Sequence, residues 1–309
     1  MVVRPFGKTG WMVSAIGLGT WNIGNQWGDI DQATAWATIR ASYDYGVNLF
    51  DTAESYGIPN GLSEERLGLA LTGIRHQAYV VTKIGNWGKR TGHEVPKTSV
   101  DLIRLCLHAS LHRLRTDWVD VVLCHEGTIE NPDIYLESFE VLKQEGRVRV
   151  YGISTDSLDV LKRFNVHGGC SVVQVNYSLL NRAAEGAFLP YCEEQGIAVM
   201  IRGPLAMGLL SGHYTRDTVF TDTVRAGWHS NEASQRKFEQ QIALVEKLKR
   251  GVTAGEELTT AALRFVLSHQ VNPVAIPGAK STRQATLNAQ AGGSTLSDEA
   301  YNRLIRLLN

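Results

Sequence analysis

Eight short apolar runs recur along this 309-residue chain, each followed by a helical pattern, and that repetition constrains the fold more than anything else in the sequence. The runs are A-I-G-L-G (15–19), V-N-L-F-D (47–51), Y-V-V-T-K (79–83) and V-D-V-V-L-C-H (119–125), then R-V-Y-G-I-S (149–154), S-V-V-Q-V (171–175), I-A-V-M-I (197–201) and P-V-A-I-P (273–277). Near-continuous apolar strands are expected when both faces of a parallel sheet are covered. The segments between them read as helices. Residues 31–45 open on a possible cap at Asp31, and Ser63-Glu64-Glu65-Arg66 places acidic residues in a first turn. Residues 98–114 carry apolar side chains at 102, 103, 105, 107, 111 and 114, close to a 3.6 period. Eight βα units predict a (β/α)8 TIM barrel rather than an open sheet, as one domain over residues 1–309.

Three additions decorate this plan. Residues 2–13 read as an N-terminal β-hairpin turning at Gly7-Lys8-Thr9-Gly10. Residues 211–233 form a polar stretch carrying Tyr214, Phe220 and Trp228, longer than a passive connection needs to be. An extra C-terminal helix, 297–308, is expected outside the barrel.

Composition narrows the partners. Lys plus Arg equals Asp plus Glu at 31 each, and no basic tract stands out, so neither nucleic acid nor an acidic membrane surface is an expected partner. The first residues lack the apolar stretch of a secretory signal, and no run approaches the roughly 18 apolar residues of a membrane span. The cysteines at 106, 124, 170 and 192 are widely separated and form no C-x-x-C. They suggest neither zinc nor a disulfide framework, and a cytoplasmic location is expected.

In such a barrel the active site lies at the C-terminal ends of the strands. Reading that position along successive strands gives Asp51, Lys83 and His125, with Tyr56 in the loop after Asp51. Each alone is an ordinary strand-end residue or turn. Together they are coherent chemistry. A phenol with a pKa near 10 is a poor acid at neutral pH unless something stabilises the phenolate. An ammonium about 4 Å away, at an effective dielectric near 20, supplies on the order of 4 kcal/mol, or about three pKa units. Lys83 is therefore expected to bring Tyr56 into the working range, with Asp51 holding Lys83 and His125 donating to a substrate oxygen. That is a general acid for carbonyl reduction.

Two similar patterns fail on geometry. Tyr79-x-x-x-Lys83 has the spacing of a helical Tyr/Lys pair, but in a strand four residues span roughly 13 Å. Gly17-Leu18-Gly19-Thr20-Trp21-Asn22 lacks the third glycine of a dinucleotide fingerprint, and its helix starts too late. A nicotinamide cofactor must then be held elsewhere. Ser154 and Thr155 end the fifth strand, Gln174 lies in the sixth and Arg202 follows the seventh. Hydroxyl and amide groups suit a carboxamide, and a guanidinium can stack on the ring. After the eighth strand, Lys280, Ser281 and Arg283 stand at a helix start, a ready phosphate site.

With these residues in place, the chain resembles the aldo-keto reductase family nearly end to end. The resemblance rests on G-L-G-T-W, N-L-F-D-T-A-E-S-Y-G, V-V-T-K, V-D-V-V-L-C-H, G-I-S, Q-V-N-Y-S-L-L-N-R, G-P-L-A-M-G-L-L-S-G and I-P-G-A-K-S. It implies a catalytic tetrad of Asp51, Tyr56, Lys83 and His125, with hydride supplied by NADPH and NADH the weaker expectation. It further implies cofactor contacts from Thr20, Trp21, Asp51, Ser154, Thr155, Gln174, Arg202, Gly203, Pro204, Leu205, Gly208 and Leu210. Gly278, Lys280, Ser281, Arg283, Gln284 and Asn288 complete that set. The pocket for a small carbonyl substrate is expected from Trp21, Trp27, Trp87 and Trp228, on the loop after the first strand, on 84–97 and on 211–233. Two positions depart from the family pattern. Thr155 stands where Asn is usual, and Arg202 replaces the tyrosine on which many members stack the nicotinamide. The leading expectation is an NADPH-dependent reductase of aldehydes or ketones. The alternatives are a cofactor-sensing subunit of the channel β-subunit type and an NAD-linked sugar dehydrogenase.

Overall fold

The computed structural model describes residues 1–89 and 91–308. Residue 90, inside the expected pocket loop 84–97, and residue 309 lie outside the described residues. Strands β1 (Val3–Pro5) and β2 (Met12–Ser14) pair antiparallel in the register Val3↔Ser14. The turn between them is a short 3-10 segment, Gly7–Thr9, closed by Gly10 in the left-handed region. This is the hairpin expected from the sequence. It presses against the barrel floor so closely that a Cβ on Gly7 would sit 2.4 Å from the backbone nitrogen of Ala198.

Eight parallel strands follow in one sheet: β3 (Leu18–Gly19), β4 (Leu49–Asp51), β5 (Tyr79–Ile84), β6 (Val119–Cys124), β7 (Val148–Ser154), β8 (Val172–Asn176), β9 (Ala198–Arg202) and β10 (Val274–Ala275). Spatial order follows chain order from β3 to β10. Parallel bridges Ile16↔Ala275 and Gly19↔Gly278 join the first strand to the last, which curls the sheet round into the (β/α)8 arrangement. The outermost strands are shorter than the apolar runs that encode them, because only part of each run meets a neighbour in register.

Helices cover the outside: α1 (Gln32–Asp44), α2 (Leu62–Ala70), α3 (Val100–Leu114), α4 (Asp133–Gln144), α5 (Leu158–Phe164), α6 (Phe188–Glu194), α7 (Glu232–Gly251), α8 (Leu258–Leu267), α9 (Thr282–Ala291) and α10 (Asp298–Leu308). Asp31 caps α1 by accepting from the Thr34 backbone N–H at 2.6 Å, and Ser99 caps α3 by accepting from Leu102 at 3.2 Å. Such caps satisfy otherwise orphaned first-turn donors. Two helices, not one, separate β9 from β10. The added one, α7, supports α10, whose Leu304 is buried; a Cβ on Gly251 would sit 2.3 Å from the Leu307 side chain. The extra C-terminal helix therefore lies outside the barrel, as expected. No helix among the described residues is long and apolar enough to cross a membrane.

Two apolar cores result among the described residues. The larger lies between the strands and the helices. The smaller fills the barrel, where Leu49, Val81, Leu123, Val172 and Met200 meet Phe6 and Val13 of the hairpin. The hairpin thus plugs the floor, leaving the opposite end for polar residues.

Candidate active site

Strand side chains alternate between faces, so inward positions advance two residues at a time toward the rim. One step beyond the buried Leu49, Val81, Leu123, Val172 and Met200 stand Asp51, Lys83, His125, Gln174 and Arg202. On each of these strands the inward side chains change from apolar to polar near the rim. His125 follows the end of β6, and its backbone N–H donates to Ile84 at 2.8 Å, which continues the ladder.

At that rim the four residues of the expected tetrad come together. Lys83 Nζ donates to Asp51 Oδ2 at 2.8 Å, to the Thr52 carbonyl at 2.7 Å and to the Tyr56 hydroxyl at 3.1 Å. Gln174 Nε2 donates to the other Asp51 oxygen at 2.8 Å. The Tyr56 and His125 rings meet edge to face with centroids 5.8 Å apart. Lys83 is fully buried and Asp51 nearly so. An ammonium in such a place needs its partners, since an unpaired buried charge is strongly unfavourable.

Burial works to lower the Lys83 ammonium, but Asp51 and Tyr56 outweigh it and hold Lys83 above its usual range. Burial pushes the Asp51 carboxyl up, opposed by Lys83 and by the Gln174 amide. Burial also raises the Tyr56 phenol, and the opposing pull of Lys83 is the smaller effect. The sequence-based expectation therefore needs correcting. Lys83 does act on Tyr56 in the lowering direction, but desolvation is the larger effect and the net shift is upward. A protonated phenol is the form that can donate.

The segment that carries Tyr56 is tied down on both sides. Glu54 accepts from the Gly85 backbone N–H at 2.8 Å and pairs with Lys97 at 3.3 Å. Its own backbone N–H donates to the Lys83 carbonyl at 3.2 Å. After Tyr56 the chain turns at Gly57, where φ is 125°, a conformation that L side chains rarely adopt. Gly24 lies over it, where a Cβ would come within 2.7 Å of the Gly57 Cα. Glycine at both positions lets residues 21–28 lie flat against the Tyr56 turn.

On that flat face Trp21 stacks on Tyr56, with centroids 5.6 Å apart and planes inclined 21°, and Trp27 meets Trp21 edge-on at 5.1 Å. Trp27 in turn lies under the Arg225 guanidinium at 5.1 Å, which also covers Phe220 at 4.3 Å and pairs with Asp222 at 2.8 Å. The 211–233 stretch is therefore folded onto the site rather than idle. Trp228 packs within it, against Phe220 at 5.1 Å and against Phe238 of α7 at 5.8 Å. Trp87 begins a short 3-10 segment, and its carbonyl accepts from Asn60 at 2.9 Å.

The remaining rim residues divide by what they touch. Ser154 and Gln174 are buried at the barrel mouth. The Thr155 hydroxyl donates to the Gly127 carbonyl at 2.6 Å and accepts from Ser157, so it works as a turn residue in the free protein. Arg202 is paired with Asp156 while its side chain stays 39% exposed. Gly203, Pro204 and Leu205 lead into the 3-10 segment Ala206–Ser211, in which Ala206, Met207 and Gly208 all have positive φ and Leu210 is buried. Two adjacent non-glycine residues in that region mark a loop held in shape by its surroundings. Thr20 is buried, its hydroxyl donating to the Asp51 carbonyl at 2.8 Å. Near α9, Lys280 Nζ donates to the Trp27 carbonyl at 2.6 Å and Ser281 accepts from Gln284 N–H at 3.2 Å. Gln284 accepts from the Lys280 N–H at 2.8 Å, Asn288 donates to the Gly278 carbonyl at 3.2 Å, and Arg283 is exposed.

Gln26, Glu54 and Arg225 belong to this site and were not singled out in the sequence, although Glu54 lies inside the stretch N-L-F-D-T-A-E-S-Y-G. Their only signal in sequence is a polar side chain beside an aromatic or glycine-rich turn, which is too common to single them out.

Known proteins resemble this chain over nearly its whole length. A family model described as "Aldo/keto reductase family" matches residues 15–309. The chain is 32% identical to the NADH-specific methylglyoxal reductase of Escherichia coli (strain K12), over 95% of this chain and 94% of that protein. Among solved structures it resembles the holo form of an aldo-keto reductase from Bacillus halodurans, with a TM-score of 0.83, 29% identity, and 99% and 96% of the two chains covered. A Klebsiella pneumoniae aldo/keto reductase in complex with NADP and acetate matches with a TM-score of 0.72 and 29% identity, over 99% of this chain and 94% of that one.

Proposed function

Because the chain belongs to the aldo/keto reductase family, we propose that it reduces aldehydes or ketones to alcohols with NADPH, using Tyr56 as the general acid. The observation that carries this reading is the buried Asp51–Lys83–Tyr56 chain of hydrogen bonds at the barrel rim. When bound, the nicotinamide cofactor would supply a hydride to the carbonyl carbon. Tyr56 would give its proton to the carbonyl oxygen, and the Lys83 ammonium would stabilise the phenolate left behind. Asp51, held by Gln174, keeps Lys83 charged and aimed. His125, edge-on to Tyr56, suits a donor to the same oxygen.

The donor set fits a dinucleotide. Ser154 and Gln174 offer a hydroxyl and an amide at the mouth, Arg202 a guanidinium at the rim, and Lys280 with Arg283 cationic charge at the start of α9. The preference for NADPH rests on that last pair. A second cofactor reading, NADH, is favoured by the E. coli relative, described as NADH-specific, and by the bond that already engages Lys280. The 211–233 segment over Trp27 and Trp21 would then form the substrate wall. A cytoplasmic location accords with this chemistry.

Steady-state turnover with NADPH and with NADH, over a panel of aldehydes including methylglyoxal and 4-nitrobenzaldehyde, is the direct test. Cofactor binding without turnover on any carbonyl would replace this reading with that of a cofactor-sensing subunit. Faster NAD-linked oxidation of sugars than reduction of any aldehyde would replace it with a dehydrogenase.

A further inference from the structure

Gln26 lies between three pieces of the site and belongs to none of the motifs. Its side-chain oxygen accepts from the Trp21 indole N–H at 2.7 Å and from the Gly57 backbone N–H at 2.8 Å. Its backbone carbonyl accepts from the Thr223 hydroxyl at 2.9 Å. The residue is only 6% exposed. One residue thus joins the aromatic wall, the turn that follows Tyr56, and the long segment after β9.

We infer that Gln26 is a positioning residue that sets substrate specificity, by locking the Trp21 ring in its stack on Tyr56 and so fixing the aromatic wall beside the Tyr56 hydroxyl. The inference rests on the reductase reading for its kinetic consequence, though not for its structural one. The physical argument is geometric. An indole stacked on a phenol can slide in its own plane at little cost, because stacking alone is a broad attraction. A hydrogen bond at the ring edge removes that freedom. Sharing its acceptor with Gly57 N–H ties the ring to the same backbone turn that aims the Tyr56 hydroxyl. Wall and acid therefore move together. Displacing Trp21 should be felt most by an aromatic substrate, which would use the ring face, and least by a small aldehyde.

The test uses two variants. Gln26→Met keeps the length and loses the acceptor, whereas Gln26→Glu keeps an oxygen able to accept from both N–H groups. Gln26→Met should raise KM for 4-nitrobenzaldehyde about tenfold, the usual effect of losing a buried hydrogen bond. KM for methylglyoxal should rise less than about threefold, and Gln26→Glu should recover most of the loss. Equal losses on both aldehydes, or a Gln26→Glu variant no better than Gln26→Met, would overturn the inference.

A second reading needs no turnover. Acrylamide quenching of tryptophan emission should increase in Gln26→Met, and the increase should vanish when Trp21→Phe is added. An increase that persists without Trp21, or no increase at all, overturns the inference as well. Wild-type protein with no carbonyl reduction would sink the proposed function alone, and quenching would still decide the role of Gln26.

Discussion

Glu54 and Lys97 meet at 3.3 Å with side chains 2% and 1% exposed, two residues upstream of Tyr56. The pair belts the acid-bearing segment to the end of the loop that follows β5. Burial holds the Glu54 carboxyl above its ordinary range, with Lys97 pulling the other way. Removing one partner of a buried pair leaves the other uncompensated, at a cost of about 3 kcal/mol. Lys97→Met should therefore lower the urea midpoint and reduce turnover, because the Tyr56 segment loosens. The double variant Glu54→Gln/Lys97→Met should cost less than the two single changes added together. Strict additivity would mean that the two side chains do not act as a pair.

Tyr56→Phe should remove carbonyl reduction while leaving the dissociation constant for NADPH within about twofold. Loss of a general acid typically costs 10²- to 10⁴-fold. The ring, and with it the stack on Trp21, is retained, so the loss reports the hydroxyl alone. A variant that kept about a third of wild-type turnover would exclude Tyr56 as the acid. His125→Gln should lower kcat more than it weakens cofactor binding, and a pure loss of cofactor affinity would argue against its place at the substrate oxygen.

Lys280 and Arg283 decide the cofactor preference in the proposed reading. The adenosine 2′-phosphate of NADPH carries charge that NADH lacks, and the start of α9 favours an anion. Contacts to two cations, screened at an open rim, suggest a preference on the order of 10²-fold. Replacing both with Ala should raise KM for NADPH and barely change that for NADH. Lys280 also holds the Trp27 carbonyl at 2.6 Å, so its loss should loosen the wall and raise KM for aromatic aldehydes. Equal affinities of the wild-type protein for both cofactors, titrated by fluorescence quenching, would overturn the phosphate assignment and favour NADH.

Stability at acid pH should depend on Glu185. Burial alone would raise its carboxyl, but the Arg182 guanidinium and the Tyr177 hydroxyl outweigh burial and hold it below the ordinary value of 4.5. A carboxylate lowered on folding stabilises the protein above its unfolded pKa, and that contribution fades as pH falls through the folded one. Glu185→Gln should lower stability at neutral pH and flatten the acid limb below about pH 4.5. Urea unfolding at a series of pH values from neutral downward measures both. An unchanged acid limb would show that Glu185 is not linked to folding.

The sequence by itself determined the architecture and singled out the four residues of the proposed tetrad. Eight apolar runs of the right length demand a covered parallel sheet, and a strand period of two carries Asp51, Lys83 and Gln174 from apolar interior layers to one polar rim. These are local rules, legible wherever the pattern is written. The N-terminal hairpin and the outer helix at the C-terminus were legible for the same reason. What only the tertiary structure decided depends on approach between distant segments. The upward direction of the Tyr56 shift follows from how completely the site is desolvated, which no spacing reveals. The sequence offered Thr155 and Lys280 as candidate cofactor contacts, and the fold gives each a backbone carbonyl, at Gly127 and at Trp27. Gln26 reaches Gly57 across 31 positions and Thr223 across 197, contacts that exist only once barrel closure brings three loops to one rim.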